Sequence, residues 1–285
     1  MERLGDWTIE ERIGSGGLAD VYRAVPADSP GKAVALKVLR EPERSVAHRK
    51  RFLREGRLLA RLSHPGLPRC MDTVDGPQPY LVLELLHGRT LSERIKASGQ
   101  LDPNSVGVIA TSLLRVLALL HQSGIVHRDV KSSNIYLAED RRVLLLDLGL
   151  AADPTDPLTT TLGDVMGTYA YMAPEQLSGA NVDHRCDLYS LGVTLYEALS
   201  GSRPYQARGA AGYLQASREG DPAPLAEMCP DAPARLLDLV SRLMQRDPAA
   251  RPSSAGVALA LFTGSGGARR ELEAPPLVGR AAPMG

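Results

Sequence analysis

The chain has 285 residues, and its 33 Lys and Arg balance its 33 Asp and Glu, so its formal net charge is zero. A basic field of the kind that attracts nucleic acid or an anionic membrane is therefore not expected. The three cysteines, Cys70, Cys186 and Cys229, lie far apart and form no CxxC pair, which argues against a zinc site and against a secreted disulfide framework.

The first third of the chain has the pattern of short strands around one helix. Five short runs rich in apolar and β-branched residues predict strands: Trp7–Ile13, Leu18–Val25, Lys32–Leu39, Arg69–Val74 and Pro79–Leu85. A helix is predicted from Glu43 to Leu62, because Phe52, Leu59 and Leu62 fall on one stripe at helical spacing.

After about residue 90, helical spacing replaces the strand pattern. Asp102 and Pro103 are the residue types favoured at an N-cap and at the first helical position, and apolar residues then recur at helical spacing from Val106 to Leu120. Gly201 is the expected stop of a later helix. The further helices are predicted near residues 187–200, 234–244 and 253–262.

These patterns predict an α+β fold of two lobes. A small antiparallel β lobe with one helix covers residues 1–86, a larger and mainly helical lobe covers residues 87–263, and a Gly/Ala/Pro-rich linker or tail covers residues 264–285. The N-terminus lacks the apolar core of a signal peptide, and the apolar stretch Val106–Leu120 contains Arg115 and is too short to span a bilayer. We therefore expect a cytoplasmic location and no membrane segment in this chain.

A glycine-rich run, Gly14-Ser-Gly16-Gly17-Leu-Ala19-Asp-Val21, lies between two predicted strands. The backbone N–H groups of such a turn can approach phosphate oxygens closely, because glycine has no side chain. A dinucleotide-binding fingerprint would need a helix after the glycines, whereas a strand follows here. Taken alone, such a run is more often just a turn.

A lysine and a glutamate further along the chain form a candidate ion pair. Lys37 ends the strand-like Val34-Ala35-Leu36-Lys37, and Glu55 lies on the apolar stripe of the predicted helix. A carboxylate on a buried face needs a cationic partner, and Lys37 is the candidate. The alternative is that Glu55 is a solvated helix charge.

The segment His127-Arg-Asp-Val-Lys-Ser-Ser-Asn134 is followed by a short strand pattern, and Asp147-Leu-Gly149 follows a second one. Two strands flanking a polar loop would bring Asp129, Asn134 and Asp147 together. Phosphoryl transfer needs such a set, because carboxylate and amide oxygens bind Mg²⁺ and a further carboxylate positions the attacking hydroxyl. Each residue alone would be an ordinary turn or cap residue.

In their joint order, these segments resemble a eukaryotic-like serine/threonine protein kinase of the bacterial type. The resemblance runs from about Trp7 to Phe262 and includes Ala173-Pro174-Glu175, Asp187-Leu-Tyr-Ser-Leu-Gly192 and Arg251. It implies the two-lobed protein-kinase fold. It also implies transfer of the γ-phosphoryl group of ATP to serine or threonine hydroxyls of proteins, with Mg²⁺ as the metal and Mn²⁺ as an alternative.

The resemblance implies a role for each catalytic residue. Asp129 would orient the substrate hydroxyl and accept its proton, Lys131 would steady the γ-phosphate, and Lys37 paired with Glu55 would contact the α- and β-phosphates. The implied metal ligands are Asn134 and Asp147, and the implied structural ion pair is Glu175–Arg251.

The resemblance also implies an adenine pocket. Leu83 would be the gatekeeper, and the backbone of Glu84 through Leu86 would form the hinge that holds the adenine edge. The full set implied to bind the nucleotide is Ile13, Gly14, Ser15, Gly16, Gly17, Val21, Ala35, Lys37, Leu83, Glu84, Leu86 and Tyr136.

Serine/threonine specificity rests on Lys131 and on Thr168, which the resemblance implies is a contact of Asp129 and Lys131. Three positions depart from the usual pattern. Ala19 replaces the third loop glycine, Leu148 replaces phenylalanine after the metal-binding aspartate, and Tyr136 lies where an apolar side chain usually lies under the adenine. None of them removes a charge or a ligand, so none is interpreted as inactivating.

Arg128 precedes Asp129, and in related kinases this arginine pairs with a phosphothreonine of the activation segment. The segment here offers Thr159, Thr160 and Thr161 in a row. The hypothesis is autophosphorylation at one or more of them, with Thr160 or Thr161 favoured over Thr159. The alternative is that the three threonines solvate a loop.

Two other readings of function stay open. A pseudokinase would bind nucleotide without transferring phosphate, and a small-molecule phosphotransferase would share the nucleotide fold but lack the long segment that ends in Ala173-Pro174-Glu175. Expected partners are protein substrates and the chain itself, phosphorylated in trans or paired through the small lobe. The tail Ala274-Pro-Pro-Leu-Val-Gly-Arg280 resembles the start of a P-loop ATPase module, which suggests a longer parent protein.

Overall fold

The computed structural model describes residues 3–28, 31–43, 45–148 and 168–264. Its N-terminal part is a six-stranded antiparallel sheet in the order β1-β2-β3-β4-β6-β5. These strands are β1 (Arg3–Leu4), β2 (Trp7–Ser15), β3 (Ala19–Pro26), β4 (Val34–Leu39), β5 (Cys70–Val74) and β6 (Tyr80–Glu84). All five predicted strands are present in this sheet, with end points that differ by at most two residues.

The register of this sheet aligns four of the predicted nucleotide-binding residues. Val21 pairs with Lys37 across β3 and β4, and Ala35 pairs with Leu83 across β4 and β6. Directly paired residues share a face, and so do residues two apart on one strand. Val21, Ala35, Lys37 and Leu83 therefore present their side chains on the same face.

Helix α1 (Val46–Arg61) packs against the sheet through Phe52 and Leu53. It begins later than predicted, because Ser45 adopts an extended backbone and its hydroxyl accepts the His48 N–H at 3.3 Å. The helix places Glu55 on its buried side, as its stripe of apolar residues predicted.

The C-terminal part is mainly helical, and a short antiparallel sheet lies at its start. That sheet has the order β7-β8-β9, with β7 (Gly88–Thr90), β8 (Ile135–Ala138) and β9 (Val143–Leu145). The helices are α2 (Leu91–Ser98), α3 (Pro103–Gln122), α4 (Pro174–Ser178), α5 (Arg185–Ser200), α6 (Gly209–Glu219), α7 (Leu225–Met228), α8 (Ala234–Leu243) and α9 (Ala255–Thr263). The α+β class with a β lobe and a helical lobe is therefore confirmed.

The caps predicted for two helices are confirmed. The Asp102 carboxylate accepts the Ser105 N–H at 2.8 Å ahead of Pro103, and Gly201 ends α5 with a φ of 76°. A left-handed residue at that position favours glycine. The core of the helical lobe is built around α5, whose side chains are almost wholly buried, and the apolar face of α3.

Within the described residues, α3 is the one helix with the length and composition to cross a membrane, and half of its apolar window is buried inside the protein. Core helices pass the same test. The sequence did not predict α2, α4, α6 or α7, which are short or weakly amphipathic, although α2 carries a capping box formed by Thr90 and Glu93.

Candidate active site

The glycine-rich run forms the turn between β2 and β3. The Gly16 N–H donates to the Ala19 carbonyl at 2.9 Å, and Gly14 lies opposite Val21 in the ladder. A Cβ placed on Gly17 would meet no atom within 4 Å, so the turn has open space above it. Ile13 and Ser15 are exposed beside it. The turn therefore presents backbone to the face that carries Lys37.

Lys37 and Glu55 form a nearly buried ion pair. The Lys37 ammonium lies 2.7 Å from both Glu55 oxygens and 3.4 Å from an Asp147 oxygen, and the Glu55 side chain is 4% exposed. Burial opposes the charge on Lys37, but the carboxylates of Glu55 and Asp147 raise its pKa above the ordinary value. The lysine therefore stays cationic and links α1 to the loop that carries Asp147.

Asp129 is held in the loop between α3 and β8 by three groups. Its backbone N–H donates to His127 Nδ1 at 3.2 Å, and Asn134 Nδ2 donates to both its carbonyl and its Oδ2 at 2.9 Å. The Lys131 ammonium lies 2.9 Å from each carboxylate oxygen and is hydrogen bonded to Oδ2. In the described part of the chain, the buried Oδ1 has no hydrogen-bond donor, so a hydroxyl could donate to this oxygen.

The β8–β9 hairpin brings Asn134 and Asp147 to the same end of a short sheet. Ile135 pairs with Leu145, and the Leu146 N–H donates to the Asn134 carbonyl at 2.7 Å. Asp147 then turns with a φ of 61°, and its carboxylate reaches Lys37. The two strands thus assemble Asp129, Asn134 and Asp147, as their flanking strand patterns predicted.

Oxygen donors for a divalent cation are present, but they do not form a complete protein cage. Asn134 makes its hydrogen bonds to Asp129 through Nδ2, which leaves its amide oxygen as a candidate metal ligand. The Asp147 carboxylate is nearly half exposed. Among the described residues, no three His, Cys, Asp or Glu side chains are grouped to hold a metal. Mg²⁺ is typically held by one or two carboxylates together with phosphate oxygens and water, and these residues fit that mode.

Asp187 anchors the backbone of the loop that carries Asp129, a contact that the sequence motif did not reveal. Its buried carboxylate accepts the N–H groups of His127 and Arg128 at 2.8 and 2.7 Å and also contacts His121 Nε2 at 2.8 Å. Burial opposes the charge, but these donors lower the pKa of Asp187. An acidic residue in the first turn of an otherwise buried helix was the available signal. The anchor stabilises the left-handed backbone of Arg128, whose φ is 65°.

Thr168 contacts the loop that carries Asp129 and Lys131. Its hydroxyl accepts a hydrogen bond from the Lys131 ammonium at 3.2 Å. Close by, the Tyr171 hydroxyl bonds Ser132 at 2.9 Å and donates to Glu197 at 2.7 Å. Burial, with the Glu197 charge, raises the pKa of Tyr171 to about 12, so it remains a neutral donor. Thr168 is thus placed to orient Lys131.

The hinge strand leaves the sheet at Glu84. Leu83 is half-buried beside Ala35, and Tyr136 on β8 donates a long hydrogen bond of 3.4 Å from its hydroxyl to the Leu86 carbonyl. Leu148 is buried in the core of the helical lobe, in keeping with an apolar contact at this position. The predicted adenine-binding residues therefore lie along one edge, between β6 and β8.

Arg51 is a second residue that the sequence analysis missed. It lies one turn before Glu55 on α1, and burial lowers its pKa while the charges of Asp147, Asp129 and Glu55 oppose that shift. Spacing of four residues from Glu55 was the available signal. The charge of Arg51 therefore interacts with the same carboxylates that surround Lys37.

The remaining predicted features are a structural ion pair, Arg128, the threonines of the activation segment and the tail. Glu175 and Arg251 form a buried ion pair with distances of 2.6 and 2.9 Å. Arg128 has a buried Nε without a hydrogen-bond partner in the described part of the chain. Thr159, Thr160 and Thr161 and the tail from residue 265 onward lie outside the described residues.

The family and the three relatives described below, to which this chain is similar, are all protein kinases. The protein kinase domain family matches residues 7–261. The chain is 35% identical over 255 residues to the serine/threonine-protein kinase PknL of Mycobacterium tuberculosis, with 87% of this chain and 63% of that protein covered. It is 36% identical over 290 residues to PknA of the same organism, with 98% and 66% covered.

A third relative is the serine/threonine-protein kinase pkn3 of Myxococcus xanthus, 36% identical over 289 residues, with 95% of this chain and 52% of that protein covered. The chain therefore spans between about half and two thirds of the length of these relatives.

Proposed function

The chain belongs to the protein kinase family, and we propose that it transfers the γ-phosphoryl group of Mg²⁺-ATP to serine and threonine hydroxyls of proteins. The relatives named above are all serine/threonine kinases, and the family uses ATP with a divalent metal. The single observation that carries the proposal is the Asp129 carboxylate, which is fixed by Lys131 and Asn134. Within the described residues its buried Oδ1 forms an ion pair with Lys131 but accepts no hydrogen bond.

The chemistry follows from that oxygen. A substrate hydroxyl that donates to Asp129 Oδ1 is oriented for attack and can pass its proton to the carboxylate. Lys131 lies beside the same carboxylate and is oriented by Thr168, so its charge is available to a transferring phosphoryl group. Thr168 in this position also supports serine and threonine as acceptors.

Nucleotide binding would use Lys37 and the glycine-rich turn of the β lobe. Lys37 is held by Glu55 and would contact the phosphates, and the turn at Gly16 would cover them through backbone N–H groups. Asn134 and Asp147 would hold Mg²⁺, which neutralises phosphate charge when bound; Mn²⁺ would suit the same oxygens. The remaining set predicted to bind the nucleotide, with Tyr136 and Leu83 at the adenine, belongs to this proposal.

The test is incubation of the purified chain with Mg²⁺-ATP, with and without casein as acceptor, followed by mass spectrometry of both proteins. We expect phosphoserine and phosphothreonine with the wild type and a rate lower by about 10²- to 10⁴-fold with Asp129→Asn. Equal phosphate on wild type and variant would trace the activity to a contaminant. A thermal shift with ATP but no transfer in either assay would favour a nucleotide-binding pseudokinase.

Activation by autophosphorylation is part of the same proposal. Within the described residues the buried Nε of Arg128 has no hydrogen-bond partner. Thr159, Thr160 and Thr161 follow in the predicted activation segment, so a phosphate on one of them would find a cationic partner in Arg128. We expect phosphate on Thr160 or Thr161 in active protein. An active enzyme whose segment carries no phosphate would contradict this part.

The remaining features proposed for the whole protein rest on the sequence. They are a cytoplasmic location, substrates among other proteins, small-lobe pairing during phosphorylation in trans, and an ATPase module after the tail. A size measurement of the chain by light scattering would test the pairing.

A further inference from the structure

Glu84, where β6 passes into the hinge, forms an ion pair across the two lobes. Its two carboxylate oxygens accept hydrogen bonds from Arg142 Nη1 and Nη2, each at 3.0 Å. Arg142 lies in the β8–β9 hairpin of the helical lobe, 58 residues further along the chain. The side chains are 24% and 31% exposed, so the pair is partly shielded from water. Parallel, two-point contacts of this kind fix orientation as well as distance.

The same carboxylate also contacts the β lobe. The Arg69 N–H donates to Glu84 Oε1 at 3.0 Å, and the Glu84 N–H donates to the Arg69 carbonyl at 3.0 Å. Glu84 is therefore bonded through its backbone and its side chain to the residue that precedes β5. Burial acts to raise the pKa of Glu84, but the donors Arg142 and Arg69 lower it overall, so the carboxylate is ionised at neutral pH.

Arg142 is itself held in place within the hairpin. Its Nε donates to Asp140 Oδ2 at 2.7 Å and its backbone N–H to Asp140 Oδ1 at 3.1 Å, while its carbonyl accepts the Ala138 N–H at 2.9 Å. The guanidinium thus meets Glu84 from a fixed position. Less side-chain entropy is lost on pairing than for a free surface arginine.

The next hinge residues are fastened to the same hairpin. The Leu86 carbonyl accepts the Tyr136 hydroxyl, and the His87 carbonyl accepts the Glu139 N–H at 2.9 Å. Glu84 begins this stretch and is the residue of it that also contacts Arg69. Fixing Glu84 therefore fixes where the hinge backbone starts relative to both lobes.

We propose that Arg142 is a positioning residue for nucleotide binding, which through Glu84 holds the hinge backbone in the geometry that accepts the adenine. The inference rests on the proposed function, because it needs an adenine nucleotide at the hinge. It adds Arg142, a residue outside the predicted nucleotide-binding set, to that function. Since Lys37 and Glu55 are paired in the same structure, the Glu84–Arg142 contact coexists with an assembled site.

The test compares Arg142→Ala, Glu84→Gln and the double variant with the wild type. Titration calorimetry with Mg²⁺ and the non-hydrolysable analogue AMP-PNP gives Kd, and phosphorylation of casein gives KM for ATP and kcat. We expect Kd and KM to rise about fivefold in each single variant, with kcat within about twofold. The double variant should bind AMP-PNP no more weakly than either single variant, because each single substitution already removes the same contact. Arg142→Lys, which keeps the charge but not the two-point geometry, should lie in between.

A neighbouring variant serves as the control. Arg141→Asn removes an adjacent exposed arginine while keeping a residue type that tolerates its φ of 70°. It should keep Kd within about twofold of the wild type. A folded Arg142→Ala protein with unchanged Kd, or one with tighter binding or higher kcat, would overturn the proposal.

Hydrogen exchange without nucleotide separates this proposal from the proposed function. The hinge amides from Glu84 to His87 should exchange about fivefold faster in Arg142→Ala than in Arg141→Asn. Equal exchange overturns the positioning role whatever the activity of the wild type. Normal AMP-PNP binding without phosphate transfer in the wild type would overturn the kinase proposal and leave the positioning role supported by its own readouts.

Discussion

This protein has two buried ion pairs whose charges are stabilised in different ways. Glu175–Arg251 lies in the helical lobe, and Lys37–Glu55 lies in the β lobe. The Arg251 side chain is fully buried and donates to Glu175 and to three backbone carbonyls, those of Gln245, Arg185 and Arg246. It also lies 4.9 Å above the Tyr189 ring. Every partner of this arginine is a fixed part of the fold.

Lys37 is less completely enclosed. Its side chain is 17% exposed, and its ammonium is shared between Glu55 on a helix and Asp147 on a loop. A partly exposed ammonium shared between two carboxylates can also meet a phosphate, whereas a buried guanidinium bonded to backbone on several sides cannot. The difference supports a structural role for the first pair and the proposed phosphate-binding role for the second.

The largest expected effect is on stability at the fully enclosed pair. Arg251→Ala leaves the Glu175 carboxylate buried without a cation, and we expect the free energy of unfolding to fall by about 3–5 kcal/mol, measured by urea denaturation. Arg242→Ala, which removes the exposed Arg242–Asp238 pair, should leave the urea midpoint nearly unchanged. Similar losses in both variants would remove the distinction between the pairs.

The next effect is on the rate of phosphate transfer. Lys37→Met removes the cation that would meet the phosphates, and we expect kcat/KM to fall by about 10²- to 10³-fold. The control is Lys32→Met, the same substitution at an exposed lysine before β4, which should keep the wild-type rate. If Lys37→Met kept its rate, the pair would be structural like the other one.

The pH dependence of stability gives a smaller effect that sharpens the comparison. Burial raises the pKa of Glu55, and Lys37 opposes this in the wild type. In Lys37→Met the opposition is lost, so the folded-state pKa of Glu55 lies still further above its unfolded value. A group of this kind stabilises the fold below its unfolded pKa, and the contribution is lost as pH rises through the folded pKa.

We therefore expect the melting temperature of Lys37→Met to fall relative to the wild type by about a few degrees between pH 5 and pH 8, measured by scanning calorimetry. The Lys32→Met protein should follow the wild type over the same range. A constant difference between Lys37→Met and the wild type would show that Glu55 does not titrate there.

The smallest effect concerns a hydroxyl that orients a lysine. Thr168→Val removes the acceptor for the Lys131 ammonium, and we expect kcat to fall about tenfold while the urea midpoint changes little. Thr168→Ser keeps the hydroxyl and should restore most of the rate. A loss of rate in Thr168→Ser, with the rate kept in Thr168→Val, would mean that packing of the threonine methyl, and not the hydrogen bond, matters.

Much of the site followed from local sequence order. A carboxylate on an apolar stripe predicted that Glu55 would be buried and paired, and two strand patterns around a polar loop predicted that Asn134 and Asp147 would meet. The end points of α1 were less well predicted, because the hydroxyl of Ser45 decides where the helix begins. Short helices such as α6 carry a weak periodic signal and were missed.

What the sequence determined by itself is the set of chemical groups and their order along the chain, because each motif is read within a few residues. Tertiary structure alone decided which distant groups meet. Asp187 caps the backbone of the catalytic loop from 59 residues away, and Arg142 reaches Glu84 across the lobes. Such partners leave no periodic mark, since the spacing along the chain between two contacting groups is set by the path of the fold and not by the local geometry of a helix or strand.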